Sequence, residues 1–130
     1  MSNTNAQEII DSFHSSFQDK KVLPLELEMI WLKKANAKFS CEIEPLVFDE
    51  LTKTYNKTLD QYVIDTLAEY MKQLYQEREV SRINKIVSIV GKDISIDGMG
   101  NNKKYAESEL NYVSSKVDEM INNQKPTAFI

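Results

Sequence analysis

Apolar residues recur at helical spacing in four separate stretches of the chain. The first stretch carries its apolar face on Ala6, Ile9, Ile10, Phe13 and Phe17. Thr4 or Asn5 precedes it, and both residue types suit the cap of a helix. Leu23-Pro24 predicts the start of a second helix, which runs to Ala37, because proline is favoured at the first helical position. Apolar residues lie almost all round this second helix, so we expect it to be buried.

A third helix is predicted from about residue 58 to residue 89. Thr58 and Gln61 have the spacing of a capping box at its start. Its apolar positions are Leu59, Val63, Leu67, Tyr70 and Leu74, followed by Val80, Ile83, Ile86, Val87 and Val90. At 1.5 Å per residue the helix is on the order of 48 Å long, so we expect it either to bend near Val80 or to project from the body.

The last helix is predicted to begin near Asn102 and to end at Lys125-Pro126-Thr127, which leaves residues 125–130 as a C-terminal tail. Its apolar positions are Ala106, Leu110, Val113, Val117 and Met120. Between Lys38 and Lys57 the periodicity is weak, and Phe48-Asp49 predicts at most a short helix.

All three glycines lie between Val90 and Lys104. Asp93 to Gly98 matches the first half of a calcium-binding loop, but Lys104 stands where that loop needs a bidentate glutamate. The spacing of the glycines also fails the phosphate-loop and dinucleotide patterns. The stretch is therefore predicted to be a connector, in which Gly91 ends the long helix, Asp93 to Asp97 is extended and Asp97-Gly98 forms a turn.

The composition agrees with a helical fold. The chain has 130 residues, which is the length of one domain, and only three glycines and three prolines, too few for a turn-rich all-β fold. We predict an all-α fold: a single small helical bundle, residues 1–130, with one long helix and a short extended connector before the C-terminal helix. Residues 1–20 are predicted to form an N-terminal amphipathic helix, with an arm as the alternative.

Charge and cysteine content exclude some classes of function. The net charge is −4 and no block of basic residues stands out, which disfavours binding to nucleic acid through its phosphates. The single Cys41 cannot form a disulfide within the chain. No stretch approaches the length of a membrane span, so we expect a protein that is made and used in the soluble phase.

Candidates for catalysis are few. His14 is the only histidine, and it is expected to flank an apolar helix face, while Cys41 is expected to be a small buried hydrophobe. We expect the strip from Glu77 to Lys85 to be a solvated helix face and the six tyrosines to line the edge of the core with their hydroxyls outward. The sequence thus predicts no catalytic, cofactor-binding or metal-binding residues, no cofactor and no enzyme activity.

Four stretches together resemble a known class of proteins. They are residues 31–37, 62–71, 78–85 and 89–96, followed by the ending Lys125-Pro126-Thr127. The set resembles the small helical head-tail connector, or neck adaptor, proteins of tailed phages and prophages. The resemblance covers roughly residues 20 to 127, and the N-terminal helix has no matching counterpart in it.

The resemblance implies a virion structural protein that forms a ring of identical subunits between portal and tail. It implies assembly in the host cytoplasm, contacts with portal, tail or other neck proteins, no contact with a membrane, and DNA passing through the channel without specific binding. The residues expected to contact other subunits are Gly91, Lys92, Asp93, Ile94, Ser95, Ile96, Asp97, Pro126, Thr127, Phe129 and Ile130. The alternative function is a non-viral adaptor or regulatory protein that binds a partner helix.

Overall fold

The computed structural model describes residues 3–15, 23–90 and 97–125, without the side chains of residues 86–90 and 97–103. These residues form four helices and one two-stranded sheet: α1 (Ala6–Ser15), α2 (Leu25–Glu42), β1 (Phe48–Asp49), β2 (Thr54–Tyr55), α3 (Gln61–Val90) and α4 (Asp97–Gln124). The predicted fold class, a small all-α bundle with one long helix, is confirmed. The predicted connector at residues 93–96 lies outside the described residues.

Helix α1 begins with a capping box. The backbone N–H of Glu8 donates to Asn5 Oδ1 at 3.2 Å, and the backbone N–H of Asn5 donates to Glu8 Oε2 at 2.9 Å. Thr4 has a different role, since its buried hydroxyl oxygen accepts a hydrogen bond from the backbone N–H of Leu59 at 2.8 Å. This hydrogen bond links the described part of the N-terminal segment to the chain just before α3. That part therefore packs on the body of the protein and does not project from it as an arm.

The main core lies where α1 and α2 pack against the first half of α3. Its fully buried side chains include Ile9, Phe13, Leu32, Leu67 and Met71. Aromatic rings continue through it edge to face: the Phe13 and Trp31 centroids are 6.1 Å apart, and the Trp31 and Tyr75 centroids are also 6.1 Å apart. These contacts join three helices into one hydrophobic unit.

Helix α2 differs from its predicted burial. Only one face is buried, while Leu25 and Ile30 are about half exposed. Cys41 is exposed rather than buried, because it lies in the last turn of α2 on the side away from the core. The expectation of a fully buried helix was wrong because apolar residues on several faces do not show which face has a neighbour.

A β-hairpin occupies the segment where the periodicity is weak. Phe48 pairs with Tyr55 and Asp49 with Thr54 in antiparallel register, so Phe48-Asp49 is a strand and not a short helix. Asn5 forms an isolated antiparallel bridge with Thr54 on the other side. Thr54 thus finds a backbone partner about fifty positions away in the sequence. The local sequence does not reveal such a partner.

Helix α3 begins later than predicted and α4 begins earlier. The carbonyl of Asp60 accepts the first helical bond of α3 from the backbone N–H of Ile64 at 3.1 Å, so the helix starts at Gln61 and is about 45 Å long. Helix α4 begins at Asp97, so Asp97-Gly98 lies in its first turn instead of in a separate turn. An acidic residue suits that position, because the helix dipole favours negative charge at the N-terminus.

Helix α4 packs along α3 with a small apolar seam. Val113 and Val117 are fully buried, and Met120 and Ile121 are buried beside them. Three of the five predicted apolar positions are thus confirmed as buried, while Ala106 and Leu110 are half-buried. At the end of the helix Lys125 Nζ lies 3.0 Å from Glu42 Oε2, and this contact lowers the pKa of the Glu42 carboxyl.

Candidate contact surfaces

The contact between α3 and α4 is largely polar. Thr66 Oγ1 accepts a hydrogen bond from Gln124 Nε2 at 2.7 Å, and Ser114 Oγ accepts one from Gln73 Nε2 at 3.2 Å. An ion pair joins Lys72 Nζ to a carboxylate oxygen of Glu109 at 3.5 Å. Such matched polar pairs fix the register of two helices more strictly than apolar contacts do.

Among the residues that the structure describes, two buried oxygen atoms in this contact lack a hydrogen-bond partner: Glu69 Oε1 and Gln73 Oε1. The other oxygen of Glu69 lies 3.8 Å from Lys116 Nζ, too far for a good hydrogen bond. Glu69 and Gln73 are one helical turn apart, so their side chains are neighbours on the same face of α3. Each unsatisfied acceptor lowers the stability of this layer.

A buried pair of polar side chains lies in the main core. The Tyr55 hydroxyl donates to Asn36 Oδ1 at 2.6 Å, and both residues are buried. Burial raises the pKa of the Tyr55 hydroxyl well above its usual range. The expectation that tyrosine hydroxyls point outward is therefore wrong for Tyr55, whereas Tyr105 and Tyr112 are exposed on α4.

His14 connects the end of α1 to the start of α2. Its Nε2 lies 2.7 Å from Oε1 of Glu28, whose side chain is only 3% exposed, while the histidine itself is half exposed. The ring also lies beside Phe13, as expected for a residue flanking the apolar face. The contact ties the two helices together and gives His14 a structural role.

The strip from Glu77 to Lys85 is a solvated helix face, as predicted. Glu77, Arg78, Arg82 and Lys85 are exposed, and Arg82 Nη2 lies 2.9 Å from Glu79 Oε2. This hydrogen bond with Glu79 raises the pKa of the Arg82 guanidinium.

Exposed large apolar side chains occur on α2, around the hairpin, on α3 and on α4. They are Leu25 and Ile30 on α2, Val47 and Leu51 around the hairpin, and Tyr62, Tyr105 and Tyr112 on α3 and α4. Leu51 is the extreme case, at 95% exposure on the turn between β1 and β2. The sequence analysis did not predict that Leu51 is exposed, because it did not predict the turn. The signal for it was an apolar residue directly after Asp49-Glu50 in a segment with weak periodicity.

A small apolar cleft lies where α2, α3 and α4 meet. Its apolar lining consists of Ala35, Phe39, Leu67, Tyr70 and Ile121, and its free volume is about 10 Å³. Burial also raises the pKa of the Tyr70 hydroxyl, and the negative charge of Glu77 adds to the shift. A space of this size accepts one methyl group or one water molecule rather than a cofactor.

Most of the predicted contact residues lie outside the described residues. They are Gly91, Lys92, Asp93, Ile94, Ser95, Ile96, Pro126, Thr127, Phe129 and Ile130. Asp97 is the exception, and it is the first residue of α4 rather than part of an extended segment. Those contact assignments remain predictions.

In comparisons with known protein families, with curated proteins and with solved structures, the chain has no match. Among the residues described, no helix combines the length and apolar character that crossing a bilayer requires. Within the same part of the chain, His, Cys, Asp and Glu side chains nowhere form a group of three that could hold a metal ion.

Proposed function

We propose that this protein is a structural subunit that assembles with copies of itself, and that it serves as a head-tail connector of a tailed phage or prophage. The observation that carries the proposal is the distribution of exposed apolar side chains over α2, the hairpin and α4. A subunit of a closed ring uses two different surfaces, one for each neighbour. The sequence stretches that resemble phage neck proteins supply the specific setting.

The charge of the chain supports the same proposal. A net charge of −4 suits the wall of a channel through which DNA moves, because negative charge repels phosphate where positive charge would retain it. No enzymatic role is proposed for His14 or Cys41: His14 is engaged by Glu28, and Cys41 lies at the far end of α2 from that pair. Loss of a measured turnover on replacing either residue would contradict this.

The experiment that tests the proposal uses the tail and the connector before α4. We expect deletion of residues 128–130, and separately the change of Ile94 and Ile96 to Asp, to leave the purified protein helical but unable to join phage particles. Gold labelling of the wild-type protein in electron micrographs should mark the neck of the particle. Normal incorporation of both variants would overturn the contact assignments, and absence of the wild-type protein from particles would overturn the function.

An adaptor that binds a partner helix is the second candidate. Tyr105 and Tyr112 favour it, because they are 74% and 62% exposed and lie seven residues apart on one face of α4. Neighbouring genes discriminate between the two functions. Portal, capsid and tail genes beside this one support the connector, and their absence supports the adaptor.

A further inference from the structure

The face of α3 that meets α4 is polar. Thr66, Glu69 and Gln73 follow one another at spacings of three and four residues, so they form one stripe along the helix. Thr66 and Glu69 are buried, at 2% and 7% exposure. All three contact α4, through Gln124, Lys116 and Ser114 respectively. We call these three residues of α3 the polar stripe.

The side chains of α4 that cover the polar stripe are apolar. Val113 and Val117 are fully buried, and they lie within one turn of Ser114, which bonds the stripe. Burial of the valines is favourable, but it takes water away from polar groups of α3 that hydrogen-bond it. Glu69 Oε1 and Gln73 Oε1 find no replacement partner among the described residues. The contact therefore gains less stability from burial than the main core does.

The buried apolar side chains of α4 are also separate from the main core. In the part of the chain that the structure describes, Val113, Val117 and Ile121 form a cluster of their own, against which the partly buried Ile43 and Tyr70 pack. The small cleft of about 10 Å³ lies between Ile121 and the main core. A gap of this kind forfeits dispersion contacts on both of its sides.

The rest of the fold is held by contacts in which α4 takes no part. The hydrogen bond between Tyr55 and Asn36 joins the hairpin to α2, and the rings of Phe13, Trp31 and Tyr75 join α1, α2 and α3. The ion pair between the end of α4 and the end of α2 is partly exposed, and such pairs contribute little. The contacts of the main core therefore remain when α4 moves away.

We propose that α4 is a releasable helix, which detaches from α3 as one unit while α1, α2, the hairpin and the first half of α3 stay folded. Detachment returns water to the two unpartnered oxygens of the polar stripe, and this offsets part of the cost of exposing the apolar seam of α4. The opened form presents Val113 and Val117 to the solvent. Release is a property of the single subunit and requires no partner, so it is independent of the proposed assembly function.

Native-state hydrogen exchange of the full chain at increasing urea concentrations tests this release. Amides of residues 110–121 in α4 should exchange at least about tenfold faster than amides of residues 31–39 in α2. Their exchange should also depend less on urea, because detaching one helix exposes less surface than unfolding the chain. The same rate and the same urea dependence for both helices would show that α4 is released only by global unfolding, and this would disprove the proposal.

Two substitutions that remove buried methyl groups separate release from global unfolding. Ile9→Val weakens the main core, so it should speed exchange in α2 by about two- to tenfold and leave exchange in α4 unchanged. Val117→Ala weakens the contact with α3, so it should speed exchange in α4 by about tenfold or more. Circular dichroism should show both variants folded. Equal acceleration of both helices by Ile9→Val would overturn the inference.

A third substitution tests the polar stripe itself. Glu69→Gln adds an amide N–H that can donate to Gln73 Oε1, so it should slow exchange in α4 by about fivefold. Glu77→Gln is the matched control, since Glu77 is an exposed carboxylate on the same helix, and it should leave exchange in α4 unchanged. If Glu69→Gln fails to slow the exchange of α4, or if Glu77→Gln slows it equally, the stripe does not control release and the inference is wrong.

Discussion

Helix α3 packs on two sides, and the two contacts are built from different side chains. Toward α1 and α2 it meets aromatic and aliphatic residues such as Phe13, Trp31 and Leu32, which are almost fully buried. Toward α4 it meets two fully buried valines surrounded by ion pairs and amide hydrogen bonds. The first contact supplies most of the apolar burial that stabilises the fold, and the second mainly specifies where α4 lies.

The largest effect is expected in the first contact. Phe13→Ala removes a fully buried ring from between α1 and α2, so the free energy of unfolding should fall by about 3 to 5 kcal/mol. Urea unfolding followed by circular dichroism measures this. Leu51→Ala is the control and should change little, because that side chain is exposed. A loss below about 1 kcal/mol for Phe13→Ala would mean that the main core is elsewhere.

A smaller loss is expected in the second contact. Val117→Ala removes two buried methyl groups from the seam of α4, which should lower the free energy of unfolding by about 2 kcal/mol. Hydrogen exchange compares the stability of the two helices directly. In the wild type the amides of α4 should exchange faster than those of α1. Equal protection of both helices would show that the polar pairs stabilise α4 as strongly as the apolar core stabilises α1.

The same comparison explains what the sequence could predict. Helical periodicity predicted all four helices and the burial of Val113, Val117 and Met120 on α4, because one apolar face per helix is a local pattern. The apolar side of α3 was predicted less well. Ile64, Ala68 and Met71 are buried although they are not in the predicted series, since α3 has neighbours on more than one side.

Features that depend on distant partners were not predictable. The strand Phe48-Asp49 exists because Thr54-Tyr55 pairs with it and the N-terminal segment bonds to the same region. The inward hydroxyl of Tyr55 depends on Asn36, which lies nineteen positions away. The polar matches between α3 and α4 require knowledge of their register, which periodicity alone does not provide.

The buried pair of Tyr55 and Asn36 allows a pH test of the main core. Tyr55→Phe leaves Asn36 Oδ1 buried without its donor, so stability at pH 7 should fall by about 1 to 2 kcal/mol. Burial raises the Tyr55 pKa above its ordinary value of 10.0, so above that pH the unfolded chain loses the proton while the folded protein keeps it. Wild-type stability therefore declines above pH 10, and the difference between wild type and variant should shrink there.

The measurement is urea unfolding at a series of pH values from 7 to about 11. Tyr105→Phe is the matched control, because Tyr105 is 74% exposed and its removal should leave the alkaline decline unchanged. A difference between wild type and Tyr55→Phe that stays constant across the series would contradict the assignment of the decline to Tyr55.

In the polar contact a gain in stability is expected. Glu69→Gln keeps the shape of the side chain and adds an amide N–H that can donate to the unpartnered Gln73 Oε1 one turn away. Stability should rise by about 1 kcal/mol. Glu28→Gln is the opposite case: it disturbs a buried carboxylate that already has His14 at 2.7 Å, so it should not stabilise the protein. A loss on Glu69→Gln would show that the ion pair with Lys116 outweighs the unsatisfied oxygens.

The smallest effect concerns the surface pair of Lys33 and Glu50. Both side chains are more than two thirds exposed, so the 3.3 Å contact is screened by water and salt, and Glu50→Gln should change the free energy of unfolding by less than about 0.5 kcal/mol. Unfolding in urea at low and high salt provides the measurement. A loss above about 1 kcal/mol would show that Glu50 holds the hairpin against α2.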